Sequence, residues 1–212
     1  LNIHQALSDI AQIRAQLDRT ETYRGFRSTA IGISVLVVLV GAWLEKTYVA
    51  EPTLQVDRYL TIWFSVAIVS VCIAGVEMLI RSRISKNQLV NKMHWSLFLQ
   101  MLPCLVVGFV LTLLIADHAL KLPSHETGLL WTLPGIWSMI YALGLFSCYR
   151  QFPAQATSVA TYILLAGILI LVFNWKTRTP AGWQMIASFG VGQFLLGSIL
   201  FWNVERRRGE ES

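Results

Sequence analysis

The 212-residue chain is 55% hydrophobic and only 14% charged, with a mean hydropathy of +0.56. A soluble domain of this size carries about 25% charged residues, so the composition excludes an ordinary soluble enzyme and indicates a polytopic membrane protein. The formal net charge of +5 gathers beside apolar runs, which points to membrane topology and anionic lipid, not to nucleic acid.

The first 25 residues are polar and amphipathic, unlike a cleavable signal peptide. Ile3, Leu7, Ile10, Ile13 and Leu17 recur at helical spacing, with Gln5, Asp9, Gln12, Gln16 and Arg19 mostly opposite. Residues 1–25 are therefore expected to form a cytoplasmic or interfacial amphipathic helix. It either covers the cytoplasmic mouth of the bundle or lies on lipid, or else serves as a docking or dimerisation helix.

Six apolar runs follow, each of a length that crosses a bilayer as a helix: 26–44, 59–80, 96–116, 128–148, 158–174 and 182–203. The expected fold is an all-α, six-span membrane bundle over residues 26–203, closed by a basic then acidic tail over 204–212. The second run leads into Arg81, Arg83 and Lys86, which mark a cytoplasmic end and orient the rest by alternation.

With the N-terminus inside, the inner segments carry Arg14, Arg19, Arg24, Arg27, Arg81, Arg83, Lys86, Lys92, Arg150, Arg206, Arg207 and Arg208. The outer ones carry Lys46, Arg58, Lys121, Lys176 and Arg178, so 12 of the 17 basic residues lie inside and 5 outside. That bias predicts N-in, C-in in a bacterial inner membrane. Trp43, Trp63, Trp131, Trp175 and Trp183 fall towards the outer boundary and Tyr23, Trp95, Tyr149, Phe152 and Trp202 towards the inner one, as an aromatic belt does. The connections run to about fifteen residues at most, too short for an extramembrane domain. Hairpins and three-helix halves do not align with one another, so no transporter-style inverted repeat is expected.

Within the third run Ser96, Gln100, Cys104, Gly108, Thr112 and Ala116 recur every four residues, a ridge of small and weakly polar side chains suited to close packing. Ala67, Ser70, Ala74 and Glu77 make a similar face in the second, and Gln184, Ser188 and Gly192 in the sixth. Pro103 and Pro134 each sit inside a run and are expected to kink it.

On this reading Glu77 is the one carboxylate well inside an apolar run. Gln100, Thr161 and Tyr162 fall at similar depth, about one turn from the cytoplasmic end, so the four are a candidate polar layer for a solute, cation or proton. The competing reading is structural: Arg81 follows Glu77 by four residues, a favourable helical pair near the interface.

Haem is disfavoured because His94 and His118, 24 residues apart, are separated by about 36 Å along a helix. The outer stretch holding Asp117, His118, His125 and Glu126 has the donors for a metal but no recognised spacing, so no resident metal or cofactor is expected and His118 and His125 are weak candidates only. HExxH, CxxC and phosphate-cradling glycine motifs are absent, which argues against an enzyme. Cys72, Cys104 and Cys148 cannot make an even disulfide framework and are expected to be buried thiols.

Three segments, LSDIAQIRAQLDRTETYRGFRS at 7–28, LPGIW at 133–137 and FGVGQFLLGSILFW at 189–202, resemble an uncharacterised group of bacterial six-helix inner-membrane proteins. Proteins of the group it resembles can be encoded near small winged-helix regulators, so the resemblance implies a sensing or regulatory role and transfers no catalytic residue. The expected function is a non-catalytic membrane binding or regulatory subunit that associates with lipid, itself or a partner protein. The alternatives are a small-solute or ion carrier built on Glu77 and Gln100, and a metal- or haem-binding membrane protein.

Overall fold

The computed structural model describes residues 28–84, 88–121, 128–149, 152 and 154–202. The expected amphipathic helix over 1–25, His125 and the 204–212 tail lie outside them. Among the described residues the regular structure is entirely helical: α1 Ser28–Tyr48, α2 Val56–Ile84, α3 Gln88–Lys121, α4 Leu133–Ser147 and α5 Ala154–Thr177. The sixth helix, α6, runs through Gly182–Met185, a π-helical stretch Ile186–Gly190, and Val191–Leu200. Each of the six holds a stretch long and apolar enough to cross a membrane, the architecture of a multi-pass membrane protein.

α2, α3 and α5 outrun their apolar runs at both ends, most of all α3. Hydropathy marks the length in hydrocarbon, whereas the backbone ladder continues into the interface until a cap or turn ends it. The fourth span differs in kind. It opens with a 3₁₀ turn at Leu130–Thr132, so Pro134 occupies the first turn of α4. Its missing N–H costs nothing there, and it starts a helix where a kink was expected. Pro103 does lie inside α3.

Two apolar clusters sit at opposite ends of the bundle. At the end carrying the α1–α2 and α5–α6 links, Val38, Ala42, Tyr59, Leu60, Trp63, Ile115, Leu130, Leu133 and Met185 close together, drawing on α1, α2, α3, α4 and α6. At the other end Ala142, Leu145, Val159, Ala160, Ile163, Leu196 and Leu200 come from α4, α5 and α6. α2 contributes to the first cluster alone.

Close backbone approach sets the α4–α5 crossing. A Cβ on Gly135 would lie 2.8 Å from the Gly167 carbonyl oxygen, and one on Gly167 would lie 2.9 Å from that of Gly135. Glycine is required at both positions because backbone cannot yield as a side chain can. Where lipid surrounds the bundle there is no hydrophobic drive between helices, so such contacts supply much of the association.

The small-residue row of α3 lies against α4 in antiparallel register. Ser147 Oγ donates to the Gln100 carbonyl at 3.3 Å. A Cβ on Gly144 would stand 3.6 Å from Cys104 Cβ, and one on Gly108 would stand 3.7 Å from Ile140 Cγ2. Thr112 Oγ1 accepts from Trp137 Nε1 at 2.8 Å. In α6, a Cβ on Gly192 would collide with Ile163 at 2.6 Å, so this glycine admits α5. Ser188 is fully buried and returns its hydroxyl to the Gln184 carbonyl at 2.9 Å.

α2 is the least covered helix. Beyond Val66 none of its described side chains is buried, and only 6% of its span is enclosed, against 56% for the span that contains α4. The segment that orients the chain topologically is peripheral to its packing.

Candidate functional site: buried polar groups at the α1–α2 end

The last turn of α1 carries Glu45, three residues before the helix ends. It is 5% exposed and lies within the span Ile31–Tyr48, where the apolar run ending at Leu44 had left it outside. Trp63 Nε1, from α2, donates to Glu45 Oε2 at 2.7 Å. The Gly182 backbone N–H, in the first turn of α6, donates to the same carboxylate. One side chain therefore joins three helices, and the first turn of α6 places the positive end of its dipole towards the acid. Tyr59, four residues before Trp63 on the same face of α2, is fully buried and within electrostatic reach of Glu45. Among the described residues its hydroxyl has no hydrogen-bond partner.

A second group lies where α5 and α6 meet. Asn174 and Gln184, 0% and 1% exposed, pair reciprocally: Gln184 Nε2 donates to Asn174 Oδ1 at 2.6 Å and Asn174 Nδ2 to Gln184 Oε1 at 3.0 Å. Asn174 Nδ2 also donates to the Trp131 carbonyl at 2.8 Å, which ties in the 3₁₀ turn before α4. Gln184 Oε1 accepts the Ala181 N–H at 3.3 Å, so Gln184 reaches back to cap its own helix. These amides meet their hydrogen-bonding needs through one another, as burial away from water demands.

The four residues of the expected polar layer have separate surroundings. Glu77 is half-buried on the uncovered stretch of α2. Gln100 Nε2 donates to Ser96 Oγ at 3.2 Å, on its own helix. Tyr162 crosses to α6 and donates to the Ala187 carbonyl at 2.6 Å, inside the π-helical stretch where the backbone ladder is shifted. Thr161 is exposed and returns its hydroxyl to the Thr157 carbonyl at 2.9 Å. His118 is exposed beside the Lys121–Asp117 ion pair of 2.6 Å. Among the described residues no group of three or more His, Cys, Asp or Glu is placed to hold a metal.

Two other readings change with the tertiary structure. Trp43, Trp175 and Trp183 are outward-facing, but Trp63 and Trp131 are 2% and 3% exposed and belong to the interior, not to a belt. Cys148 is buried and Cys104 half-buried, whereas Cys72 is exposed on α2, contrary to the expectation of three buried thiols.

Glu45 could have been noticed in the sequence. A carboxylate just past an apolar run, followed by Lys46, looks like an interfacial residue, and nothing local says that Trp63 and Gly182 will enclose it. The chain matches no protein-family model, no curated protein and no solved structure.

Proposed function

We propose that this chain is a non-catalytic binding or regulatory subunit of a bacterial inner membrane, oriented N-in and C-in, that associates with a second copy or another membrane helix through α2. The observation that carries this reading is the bare stretch of α2 beyond Val66, which includes Ala67, Ser70, Ala74 and Glu77. Ala67, Ser70 and Ala74 permit close helix approach, so a protein neighbour suits this face better than lipid tails. The buried polar groups elsewhere support it from the other side, because Glu45, Asn174, Gln184, Thr112 and Tyr162 are engaged in joining helices. The orientation rests on the 12-to-5 distribution of Lys and Arg.

Ala74→Cys provides the test, because it puts a thiol at an exposed position on the face of Ala67, Ser70 and Glu77, whereas the native, exposed Cys72 projects from the opposite side of the helix. Mild oxidation or a short thiol cross-linker, applied in native membranes, is expected to give one discrete adduct with Ala74→Cys in a Cys72→Ser background and none with the native Cys72 alone. Mass spectrometry of the adduct distinguishes a second copy from a different chain. Monomer alone, with the introduced thiol still freely alkylated, would refute the reading.

A second reading, a small-solute or ion carrier, draws on Glu77 and the buried Glu45, both of which lie within spans. It requires that reconstituted protein transport a solute and lose that transport on Glu77→Gln. Transport that survives the change removes Glu77 from the mechanism.

A further inference from the structure

The α5–α6 link is only four residues, 178–181, between spans ending at Thr177 and beginning at Gly182. Its first residue, Arg178, has a left-handed backbone with φ of 56°. Its N–H donates to the Asn174 carbonyl at 2.8 Å, so Arg178 terminates α5 in the position where glycine is favoured. A non-glycine residue there costs about 1 kcal/mol in backbone strain. Capping alone does not account for the choice of arginine.

The side chain supplies a reason. The Arg178 guanidinium carbon lies 4.8 Å from the Trp131 ring centroid and 4.9 Å from that of Trp175. The two indoles stand at 83° to each other, forming a corner in which the planar cation sits. Each wall is itself held. The Trp131 carbonyl accepts from buried Asn174, and Trp175 follows Asn174 on α5. The Trp131 Nε1–H is buried and, among the described residues, has no hydrogen-bond partner. Lys176 and Trp183 are exposed nearby in the chain, at the same boundary of the bundle.

We propose that the Arg178 corner is a binding site for the phosphate of an anionic phospholipid headgroup. The two cation–π contacts hold the guanidinium in the corner, and its forked N–H donors suit phosphate oxygens, a geometry that lysine does not reproduce. The position is right for a lipid source: a link this short between two spans lies at the headgroup layer, with exposed Trp175 and Trp183 on its apolar side. The site stands apart from the association proposed for α2 and does not depend on it.

The decisive variant is Arg178→Gly, which removes the cation and relieves the left-handed backbone. Full-length wild type and variant are placed in nanodiscs of phosphatidylcholine containing a minority of phosphatidylglycerol. Native mass spectrometry then counts the phosphatidylglycerol retained. The variant is expected to be at least as heat-stable as wild type in pure phosphatidylcholine, yet to lose preferential retention by about fivefold, the scale of one basic residue near anionic lipid. Arg178→Lys is expected to recover only part of it. Equal retention by wild type and Arg178→Gly overturns the proposal. So does a variant that loses stability equally in both lipids with retention unchanged, since that is a purely structural arginine. Inorganic phosphate is the remaining arm: if it alone stabilises wild type but not the variant in phosphatidylcholine, the ligand is a free anion and the lipid assignment is wrong.

Discussion

Replacing Asn174 with leucine tests whether the amide pair of α5 and α6 holds the bundle. Leucine keeps the branched shape of asparagine but is larger, so overpacking adds to the polar perturbation at this buried position. It removes three hydrogen bonds, two with Gln184 and one to the Trp131 carbonyl. Interhelical hydrogen bonds in membranes average about 0.6 kcal/mol, which puts the direct loss near 2 kcal/mol. The Gln184 amide is then left buried without its acceptor, adding about 1–3 kcal/mol. Asn174→Leu should therefore destabilise by about 3–5 kcal/mol, measured by unfolding in mixed micelles of increasing sodium dodecyl sulfate. In Asn174→Leu/Gln184→Leu the orphaned amide is gone too, so the double variant should be less damaged than the two singles together by about 1–2 kcal/mol. A loss below about 1 kcal/mol for the single variant, or strict additivity in the cycle, would refute the argument that this pair is mutually satisfying.

Other substitutions separate the remaining contacts. Gly135→Ala and Gly167→Ala should each cost about 1–3 kcal/mol in the same unfolding assay, since each new methyl meets a backbone carbonyl. Gly75→Ala, which faces open space on α2, should leave stability unchanged or raise it by up to about 1 kcal/mol. Glu45→Gln preserves an acceptor for Trp63 and Gly182 and should melt within a few degrees of wild type. Glu45→Ala strands both donors and should cost about 2–4 kcal/mol; equal melting temperatures for the two variants would remove Glu45 from its joining role. Thr112→Val takes the acceptor from Trp137 Nε1 and should cost about 1 kcal/mol, with a shift in near-ultraviolet dichroism from the freed indole.

The six spans could be read from residue order alone, because crossing a bilayer depends on a local run of about 20 apolar residues and a helix satisfies its own backbone. The every-fourth-residue row of α3 was visible for the same reason: helical periodicity is local. What periodicity could not supply was the neighbour. That Gln100, Cys104, Gly108 and Thr112 run down α4 depends on a helix some 30 residues later.

The polar groups show the division most clearly. Glu77 stood out in sequence because it interrupts an apolar run, yet it lies on the least covered helix. Glu45 looked interfacial because it stands between Leu44 and Lys46, and it became a buried joint when Trp63 and Gly182 closed over it. Pro134 read as a kink until a 3₁₀ turn moved the helix start to its side. Sequence by itself determined how many times this chain is able to cross a membrane, since each crossing is settled by its own residues. Only tertiary structure decided which polar side chains are interior, because burial and hydrogen-bond partnership are properties of pairs of helices brought together.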